Sequence, residues 1–512
     1  MVEIRKKPFY LTEEKCEWVR KTLESMTLEE KIGQLFCCVS LGESKADLLE
    51  KYNKIHFGGI MFRADKAKNI KEQTDFIQSK AKIPMLISAN LENGGTGIAT
   101  DGTEFASQLE VAATGNPEYA YLLGDICGSE GASVGINYAF APVVDVHRNW
   151  RNPIIVTRTY GSDPEKVLAF STEYMKGITK HNVAVCIKHF PGDGIDERDQ
   201  HLVSSVNTLI CDEWDESFGK IYGDLIKQGA QTVMAGHILL PEYSKRLCPG
   251  IEDKDILPAS LSKEILTGLL REKLGFNGMI ITDSAIMTGM SSAMQRRDIP
   301  AAAINAGCDM FLFGRNLYED YANMLADAAS GVISADRIQD ALTRVLALKA
   351  SIGLDTAKKF TDENYKEKIA CPRHKQLAKE CADKAITLVK DTQKLLPVSP
   401  QTHRRVWLYI LGDNPAFRGG ALCKDSVMKA LKVKGFDVTC FDTSNPEEGL
   451  LSEPVSVLKE RFDLIIYIGN IVSGGNDTVN RIKWAPFACG ESPQYVKDIP
   501  TMFISLGDPY HF

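Results

Sequence analysis

Eight short apolar runs alternate with longer segments of helical periodicity over the first two thirds of the chain. Each run is continuously apolar rather than alternating, which is typical of parallel strands covered by helices on both faces. The runs are QLFCCVSL (34–41), HFGGIMF (56–62), PMLISAN (84–90), YAFAPVVDV (138–146), VAVCIKHF (183–190), QTVMAGHI (231–238), GMIITDS (278–284) and CDMFLFG (308–314). This pattern predicts an α/β protein whose first domain, residues 1–355, is a (β/α)8 TIM barrel.

The segments between the runs carry helix signals at their ends. Residues 11–26 have an amphipathic pattern, and Thr27 with Glu30 fits a capping box that opens a second helix. Pro164 lies in the first turn of the predicted helix DPEKVLAFSTEYMKGIT, and SKEILTGLLREKL is followed by Gly275. These signals predict helices between the strands, as a barrel requires.

A second α/β pattern follows a polar, lysine-rich segment. Residues 356–377 predict a linker, and residues 378–512 predict a smaller, sandwich-like α/β domain. Its expected elements are the strands AITLVK (385–390), RVWLYILG (405–412), DVTCFD (437–442), DLIIYIGN (463–470) and TMFISLG (501–507), and the helix VMKALKVKG (427–435). Because the sequence ends just past an apolar strand, we expect this second domain to be incomplete.

Composition and charge exclude several classes of protein. The 512 residues include 60 basic and 67 acidic side chains, a net charge of −7, with 44% hydrophobic residues as in ordinary globular proteins. An acidic chain offers no extended basic surface to a nucleic acid. No apolar run is long enough to span a membrane, and the basic N-terminus lacks the apolar core of a signal peptide. We therefore expect a cytoplasmic protein without nucleic-acid or membrane partners.

Cysteine and histidine give no indication of a metal or a cofactor. The 13 cysteines include no C-x-x-C pair, and several lie inside apolar strand-like runs, as expected of small buried residues in a reducing compartment. The nine histidines form no zinc-like cluster with them, and the chain contains no phosphate-binding glycine motif. The sequence therefore predicts neither a metal site nor a cofactor.

The candidate chemistry lies where predicted strands end, since barrel active sites form at that face. Asp283 follows the apolar run GMIIT, so its carboxylate is expected at the mouth of the barrel. There it can act as a nucleophile toward an electrophilic carbon, or it can simply cap a helix. The pattern alone supports both interpretations equally.

The fifth strand and the loop after it bring together four further candidates. Lys188 and His189 end a buried run, so Lys188 is expected to be either paired or functional, and a Schiff-base role is one option. Asp199 and His201 lie in the following loop. An aspartate beside a histidine fixes its tautomer and suits the pair to proton transfer, although a solvated polar loop explains the same residues.

Two other strand ends contribute polar residues. Arg158 precedes a helix after the fourth strand and is placed to bind oxygen-rich groups. Asn90 and Glu92 lie where the third strand ends. His237 also ends a strand, but a hydrogen-bonded core histidine is the simpler interpretation.

These residues resemble glycoside hydrolase family 3, specifically its two-domain β-N-acetylglucosaminidase branch. The resemblance covers the whole barrel through MTLEEKIGQLF, APVVDV…NP…TRTYGSDPE, KHFPGDG…DQH, PASLS…LLR and FNGMIITDS. It implies that Asp283 is the nucleophile, that His201 is the general acid/base and that Asp199 orients this histidine. It further implies that the sugar is bound by Arg158, Lys188, His189, Asn90 and Glu92. The implied activity is a retaining exo-β-N-acetylhexosaminidase acting on an oligosaccharide or glycoside.

The chain departs from the family pattern at three places. The usual D-x-E-G-G reads here with Asn90 first, Asp193 stands where the branch often has histidine, and Ser284 replaces a second aspartate after Asp283. These departures leave open the configuration of the sugar, glucosamine or galactosamine. A neutral imidazole also repels an incoming anion less than a carboxylate does, so phosphorolysis remains an alternative to hydrolysis. A different β-glycosidase, a Schiff-base aldolase and a non-catalytic sugar-binding protein are further alternatives, and either a monomer or a homodimer is compatible with the sequence.

Overall fold

The computed structural model describes residues 2–356, 361–412, 422–442, 453–472, 474–476, 482, 484, 492–507 and 509–511. The chain forms two compact units, Met1–Ile386 and Thr387–Phe512. The first unit contains all the candidate site residues.

A closed ring of parallel strands forms the centre of the first unit. The strands of the first unit are β1 Phe36–Ser40, β2 Gly59–Phe62, β3 Leu86–Ala89, β4 Tyr138–Ala139, β5 Ala184–Phe190, β6 Ser205–Val206, β7 Thr232–Ala235, β8 Ile238–Leu239, β9 Met279–Thr282 and β10 Phe311–Leu312. Eight of them pair in the order β10-β1-β2-β3-β4-β5-β7-β9, and a parallel bridge between Ile281 and Met310 joins the two ends. Strands β6 and β8 form a separate pair. The predicted (β/α)8 barrel is confirmed.

Helices surround this ring and follow the predicted pattern. They are α1 Glu13–Ser25, α2 Leu28–Gly33, α3 Lys45–Ile55, α4 Ala67–Lys80, α5 Gln108–Ala113, α6 Glu118–Ser133, α7 Pro164–Thr179, α8 Cys211–Trp214, α9 Lys220–Gln228, α10 Pro241–Leu247, α11 Thr288–Ser291, α12 Ile299–Ala306, α13 Leu317–Ala329, α14 Ala335–Ser351, α15 Tyr365–Lys368 and α16 Pro372–Ala385. A π-helical turn joins α8 to α9, and a longer π-helix spans Glu264–Lys273. Thr27 and Glu30 form the predicted capping box, and Pro164 is the first residue of α7. In the described residues, no helix has both the length and the apolar character needed to cross a membrane.

A lysine side chain of α14 is buried in the interior of the first unit. The Lys349 side chain is fully buried, and its Nζ donates to Gln34 Oε1 at 2.6 Å. Gln34 in turn donates through Nε2 to the carbonyl of His56 at 2.7 Å. Burial disfavours the charged amine and lowers the pKa of Lys349 to about 7.

The segment after the barrel helices packs on the barrel rather than linking two domains. Residues 361–386 belong to the first unit, and Cys381 of α16 is fully buried. The buried carboxylate of Glu130 bonds to His374 Nδ1 at 2.7 Å and accepts the amide of Ala370 at 3.2 Å. The predicted linker 356–377 and the domain limit at residue 378 are therefore wrong for the described part, while residues 357–360 lie outside it. The described lysines of this segment, Lys366, Lys368 and Lys375, are exposed on α15 and α16.

The second unit contains a four-stranded parallel sheet with the order β12-β11-β13-β14. Its elements are β11 Arg405–Leu411, α17 Lys424–Val433, β12 Asp437–Cys440, α18 Val455–Arg461, β13 Leu464–Gly469 and β14 Thr501–Ser505. Alternate residues of β11 enter two separate apolar clusters, Trp407 with Leu458 of α18 and Leu408 with Leu431 of α17. Helices therefore cover both faces of the sheet, in agreement with the predicted α/β sandwich.

One predicted strand of the second unit is wrong. Residues 385–390 end α16 and continue as irregular chain, and Ile386, Leu388 and Val389 are exposed. Their branched side chains favour an extended strand, but they enter none of the described sheets. Local propensity without a neighbouring strand does not make a strand.

Candidate active site

A buried cluster of one carboxylate and two cations lies where β3 and β5 end. Glu92 accepts Arg158 Nε and Nη2, both at 2.9 Å, and Lys188 Nζ at 2.6 Å. Burial alone would raise the pKa of Glu92, but the charges of Arg158 and Lys188 hold it well below its usual range. Lys188 is thus paired, one of the two outcomes expected for it, and the cluster retains one net positive charge.

An irregularity in β5 positions the two residues at its end. The pairing of β5 with β7 shifts register between Ile187 and Phe190, and Lys188 and His189 lie between them. In a regular strand consecutive side chains point to opposite faces. Here both residues make buried contacts at the mouth, Lys188 with Glu92 and His189 with Asp145.

His189 is held by a carboxylate that the sequence did not single out. Asp145, fully buried after β4, bonds to His189 Nδ1 at 2.7 Å and accepts the His189 amide at 3.1 Å. The opposite ring nitrogen, Nε2, lies 4.0 Å from Asp283 Oδ2. Asp145 therefore fixes the ring so that Nε2 faces the neighbourhood of Asp283.

Asp283 follows β9 directly, as expected. Its amide donates to the carbonyl of Ala235 at 2.8 Å, and its Oδ1 accepts the amide of Ser284 at 2.7 Å. Burial alone would raise the pKa of Asp283, but the nearby histidines, His189 foremost, hold it below its usual value. The side chain stays ionised although only 15% of it is exposed.

The loop after β5 carries the second aspartate–histidine pair. Asp199 Oδ1 bonds to His201 Nδ1 at 2.7 Å and accepts the His201 amide at 2.8 Å. Asp199 is buried, whereas the His201 side chain is 35% exposed. The carbonyl of His201 accepts the amide of Thr288 at 3.1 Å, so this loop is docked on the segment that follows Asp283. The alternative of a freely solvated polar loop does not fit these contacts.

Two further strand-end residues belong to neither the Glu92 cluster nor the two aspartate–histidine pairs. Asn90 is exposed at the end of β3, and its side chain makes no hydrogen bond within the described residues. His237 is fully buried, with Nδ1 bonded to Ser260 Oγ at 2.8 Å and Nε2 to the carbonyl of Ser284 at 3.0 Å. Both of its ring nitrogens are satisfied, so the interpretation as a core histidine is confirmed.

The structure adds residues that sequence reasoning missed. Asp145 is the main one, and its only sequence signal is a lone carboxylate in the apolar run APVVDV, since a buried aspartate needs a partner. Asp193 and Gln200 are also buried and hydrogen-bond to each other at 3.2 Å. Nothing in their spacing indicates that contact.

The arrangement has the parts of a nucleophile and a proton relay. Asp283 is an ionised carboxylate on a rigid strand end, and His201 is a partly exposed imidazole oriented by Asp199. The Glu92 cluster and His189 supply donors for oxygen atoms beside them. Across the described residues, His, Cys, Asp and Glu side chains form no group of three or more that could hold a metal ion.

Known proteins resemble this chain over most of its length. The model of the family described as Glycosyl hydrolase family 3 N terminal domain matches residues 27–348. A curated relative from Cellulomonas fimi, named Beta-N-acetylglucosaminidase/beta-glucosidase, is 42% identical over 100% of this chain and 91% of its own length. A solved structure of a beta-glucoside phosphorylase, BglX, is 39% identical with a TM-score of 0.93, covering 99% of this chain and 91% of that one. A family 3 beta-N-acetylglucosaminidase from Paenibacillus sp. str. FPU-7 shares the fold, with a TM-score of 0.76 at 24% identity over 95% of this chain and 91% of that one.

Proposed function

This chain belongs to glycosyl hydrolase family 3 and is a glycoside hydrolase for β-linked sugars, and we propose that it removes terminal N-acetyl-β-glucosaminyl units with retention of configuration. The observation that carries this proposal is the ionised Asp283 carboxylate at the same mouth as the docked Asp199–His201 pair. A retaining glycosidase needs a nucleophile at the anomeric carbon and a proton donor at the leaving oxygen.

In the first half-reaction Asp283 attacks the anomeric carbon and the bond to the leaving oxygen breaks. His201 gives its Nε2 proton to that oxygen, because Nδ1 is engaged by Asp199. The product is a glycosyl ester on Asp283 and a neutral imidazole. The low pKa of Asp283 keeps the nucleophile deprotonated while it waits for substrate.

In the second half-reaction the same imidazole acts as a base. His201 Nε2 takes a proton from an incoming water, the water oxygen bonds to the anomeric carbon, and the ester bond to Asp283 breaks. Asp199 stabilises the protonated imidazole at the end of this step, as a carboxylate does beside any imidazolium. The sugar leaves with its original β configuration after two inversions.

The sugar-binding roles go to the donors around this carboxylate. Arg158 and Lys188, with half of their charge balanced by Glu92, have donors for hydroxyl or acetamido oxygens. His189, held by Asp145, directs Nε2 toward the same space. The N-acetyl preference is supported by the name of the Cellulomonas fimi relative, which also includes a glucosidase activity, so β-glucosides are the alternative donors. Asn90 is exposed at the end of β3. In our proposal it contacts the outer hydroxyls of a sugar with the gluco configuration.

Phosphorolysis by the same residues is the second candidate. An imidazole in place of a second carboxylic acid avoids a negative charge beside an incoming phosphate, which favours phosphate as acceptor. The similarity to the beta-glucoside phosphorylase BglX supports the same alternative. In that reaction phosphate replaces water in the second half-reaction, and the product is a sugar 1-phosphate.

A panel of aryl β-glycosides, assayed with and without phosphate, tests both candidates. We expect turnover of the N-acetyl-β-glucosaminide, with sugar 1-phosphate appearing only if phosphate is the acceptor. Asp283→Ala should abolish turnover, while Asp298→Ala, an exposed aspartate on the same loop, should not. His201→Ala should lower kcat/KM, which reports the first half-reaction, only slightly with a dinitrophenyl leaving group and about 100-fold or more with a poor one, because only the latter needs a proton. Equal losses on both substrates would remove His201 from its proposed role.

A further inference from the structure

A buried hydrogen-bond chain runs from β5 to the loop that carries His201. It begins at Asp145, whose Oδ1 accepts the amide of His189 at 3.1 Å and the amide of Asp193 at 2.8 Å. The same carboxylate holds the His189 ring through Oδ2. Asp145 therefore fixes both the end of β5 and the start of the loop.

The Asp193 carboxylate is the second link. It is 2% exposed and accepts three hydrogen bonds, from Asn152 Nδ2 at 2.8 Å, from the amide of Gly194 at 2.6 Å and from Gln200 Nε2 at 3.2 Å. Burial and the neighbouring Asp145 raise the pKa of Asp193 to about 6, and His189 opposes them. A carboxylate in this position is costly, and its three donors offset that cost.

Gln200 is the third link and lies between the two residues of the Asp199–His201 pair. Its side chain is 1% exposed, and while Nε2 binds Asp193, Oε1 accepts the amide of His237 at 2.7 Å. Its carbonyl accepts the amide of Gly289 at 3.0 Å. The backbone that carries the proton donor is thus tied on one side to Asp193 and on the other to the end of β7 and to α11, which follows β9.

We propose that Asp193 is a positioning residue that acts through Gln200 to hold His201 at the leaving oxygen. Asp193 lies behind the loop in this proposal and touches no substrate. This inference rests on the proposed function, since it assigns a task to Asp193 only if His201 transfers the proton. A displacement of about 1 Å in such a group is enough to lower a rate about 100-fold.

Because the direction of each hydrogen bond is known, the link between Asp193 and Gln200 can be tested by reversing which side chain donates. In Asp193→Asn, the oxygen that received Gln200 Nε2 becomes a donor, so two donors face each other. Flipping the Gln200 amide does not help, because its amino group would then face the amide N–H of His237. In the double variant D193N/Q200E the donor lies at position 193. The acceptor at position 200 then takes both that donor and the His237 amide, so the bond between positions 193 and 200 is restored with reversed polarity and the bond from the His237 amide keeps its direction.

The experiment compares kcat/KM for a dinitrophenyl and an alkyl N-acetyl-β-glucosaminide in wild type, D193N and D193N/Q200E. We expect D193N to lose on the order of 10- to 100-fold on the alkyl substrate and only a few-fold on the dinitrophenyl one. The double variant should recover most of the loss on the alkyl substrate. Glu197→Gln, an exposed carboxylate on the same loop, serves as the matched control and should behave as wild type.

Equal losses on the two substrates, full activity of D193N, or no recovery in the double variant would overturn the proposal. His201→Ala in the same assay separates this from a failure of the proposed function: if it too shows no leaving-group dependence, His201 is not the proton donor. If circular dichroism shows that D193N does not fold, Gln200→Met cuts the same link from the other end. That variant is expected to give the same selective loss, and an equal loss on both substrates would overturn the proposal there as well.

Discussion

Substituting Lys349 by methionine tests how the barrel tolerates a buried amine. Lys349 is fully buried on α14 and makes a single side-chain hydrogen bond, to Gln34 Oε1. Methionine has a similar length and no polar group. The substitution therefore removes the ionisable group with little change in packing and leaves Gln34 Oε1 without its donor.

The size of the expected change in the free energy of unfolding follows from the pKa of Lys349, which falls from 10.5 to about 7 on folding. Between those two values the unfolded chain binds a proton that the folded chain does not, so the stability of the folded state rises with pH across this window. At about 1.4 kcal/mol per unit, the lysine costs the folded state about 4 kcal/mol at pH 7 and under about 1 kcal/mol at pH 10. The orphaned oxygen of Gln34 costs about 1–3 kcal/mol at every pH. K349M should therefore be more stable than wild type at pH 7 by about 1–3 kcal/mol and less stable at pH 10.

Urea unfolding of both proteins, followed by circular dichroism at pH 7, 8, 9 and 10, measures this difference. The sign of the difference in free energy of unfolding should change at about pH 9. Lys68→Met, which removes an exposed lysine, should give a difference that does not depend on pH. A K349M difference that stays constant with pH would show that the lysine is charged in the folded barrel, and the reasoning from burial would fail.

Two substitutions in the site are expected to separate stability from catalysis. Glu92→Gln leaves Arg158 and Lys188 without their carboxylate, so we expect a loss of about 3–5 kcal/mol in the free energy of unfolding by urea titration. Because the pKa of Glu92 is depressed in the folded state, this loss of stability should be complete at neutral pH and should shrink as the pH falls below the pKa of Glu92 in the unfolded chain. A loss that is equal at all pH values would contradict the ion pair. Asp145→Asn places an amide N–H donor where Oδ2 binds His189 Nδ1, which disfavours the present tautomer of that ring, and should lower kcat on an aryl N-acetyl-β-glucosaminide by about 100-fold or more, with the fold intact by circular dichroism. An unchanged kcat would mean that the His189 tautomer is unimportant.

The barrel could be predicted because its strands are buried on both faces. Each of the eight apolar runs contains an observed strand, and the capping box at Thr27 and the proline opening α7 set two helix starts. The prediction of a strand at AITLVK is wrong because these branched residues lie in exposed irregular chain, where no neighbouring strand completes a sheet. The linker failed because a lysine-rich surface is compatible with a packed helix.

Within the candidate site, the sequence could predict only residues that lie at the end of a single strand. Asp283 and Lys188 were marked by apolar runs that force a polar side chain to the mouth. Asp145 also lies in an apolar run, but its pairing with His189 could not be predicted, because that pairing depends on the register of two strands, which no sequence spacing encodes. The link between Asp193 and Gln200 depends on how a loop folds back, which periodicity does not describe.

The contacts of Glu130 determine where an isolated barrel can be cut. This buried carboxylate takes two hydrogen bonds from Thr103 and two more from the segment after the barrel, from Ala370 and His374. A protein ending at residue 355 would keep the strands β1 to β10 and every candidate catalytic residue, yet it would expose a half-satisfied carboxylate together with the apolar surface that α16 covers. The smallest autonomous catalytic fragment is therefore expected to end at Ile386, and domain exchanges between relatives should place their junction there.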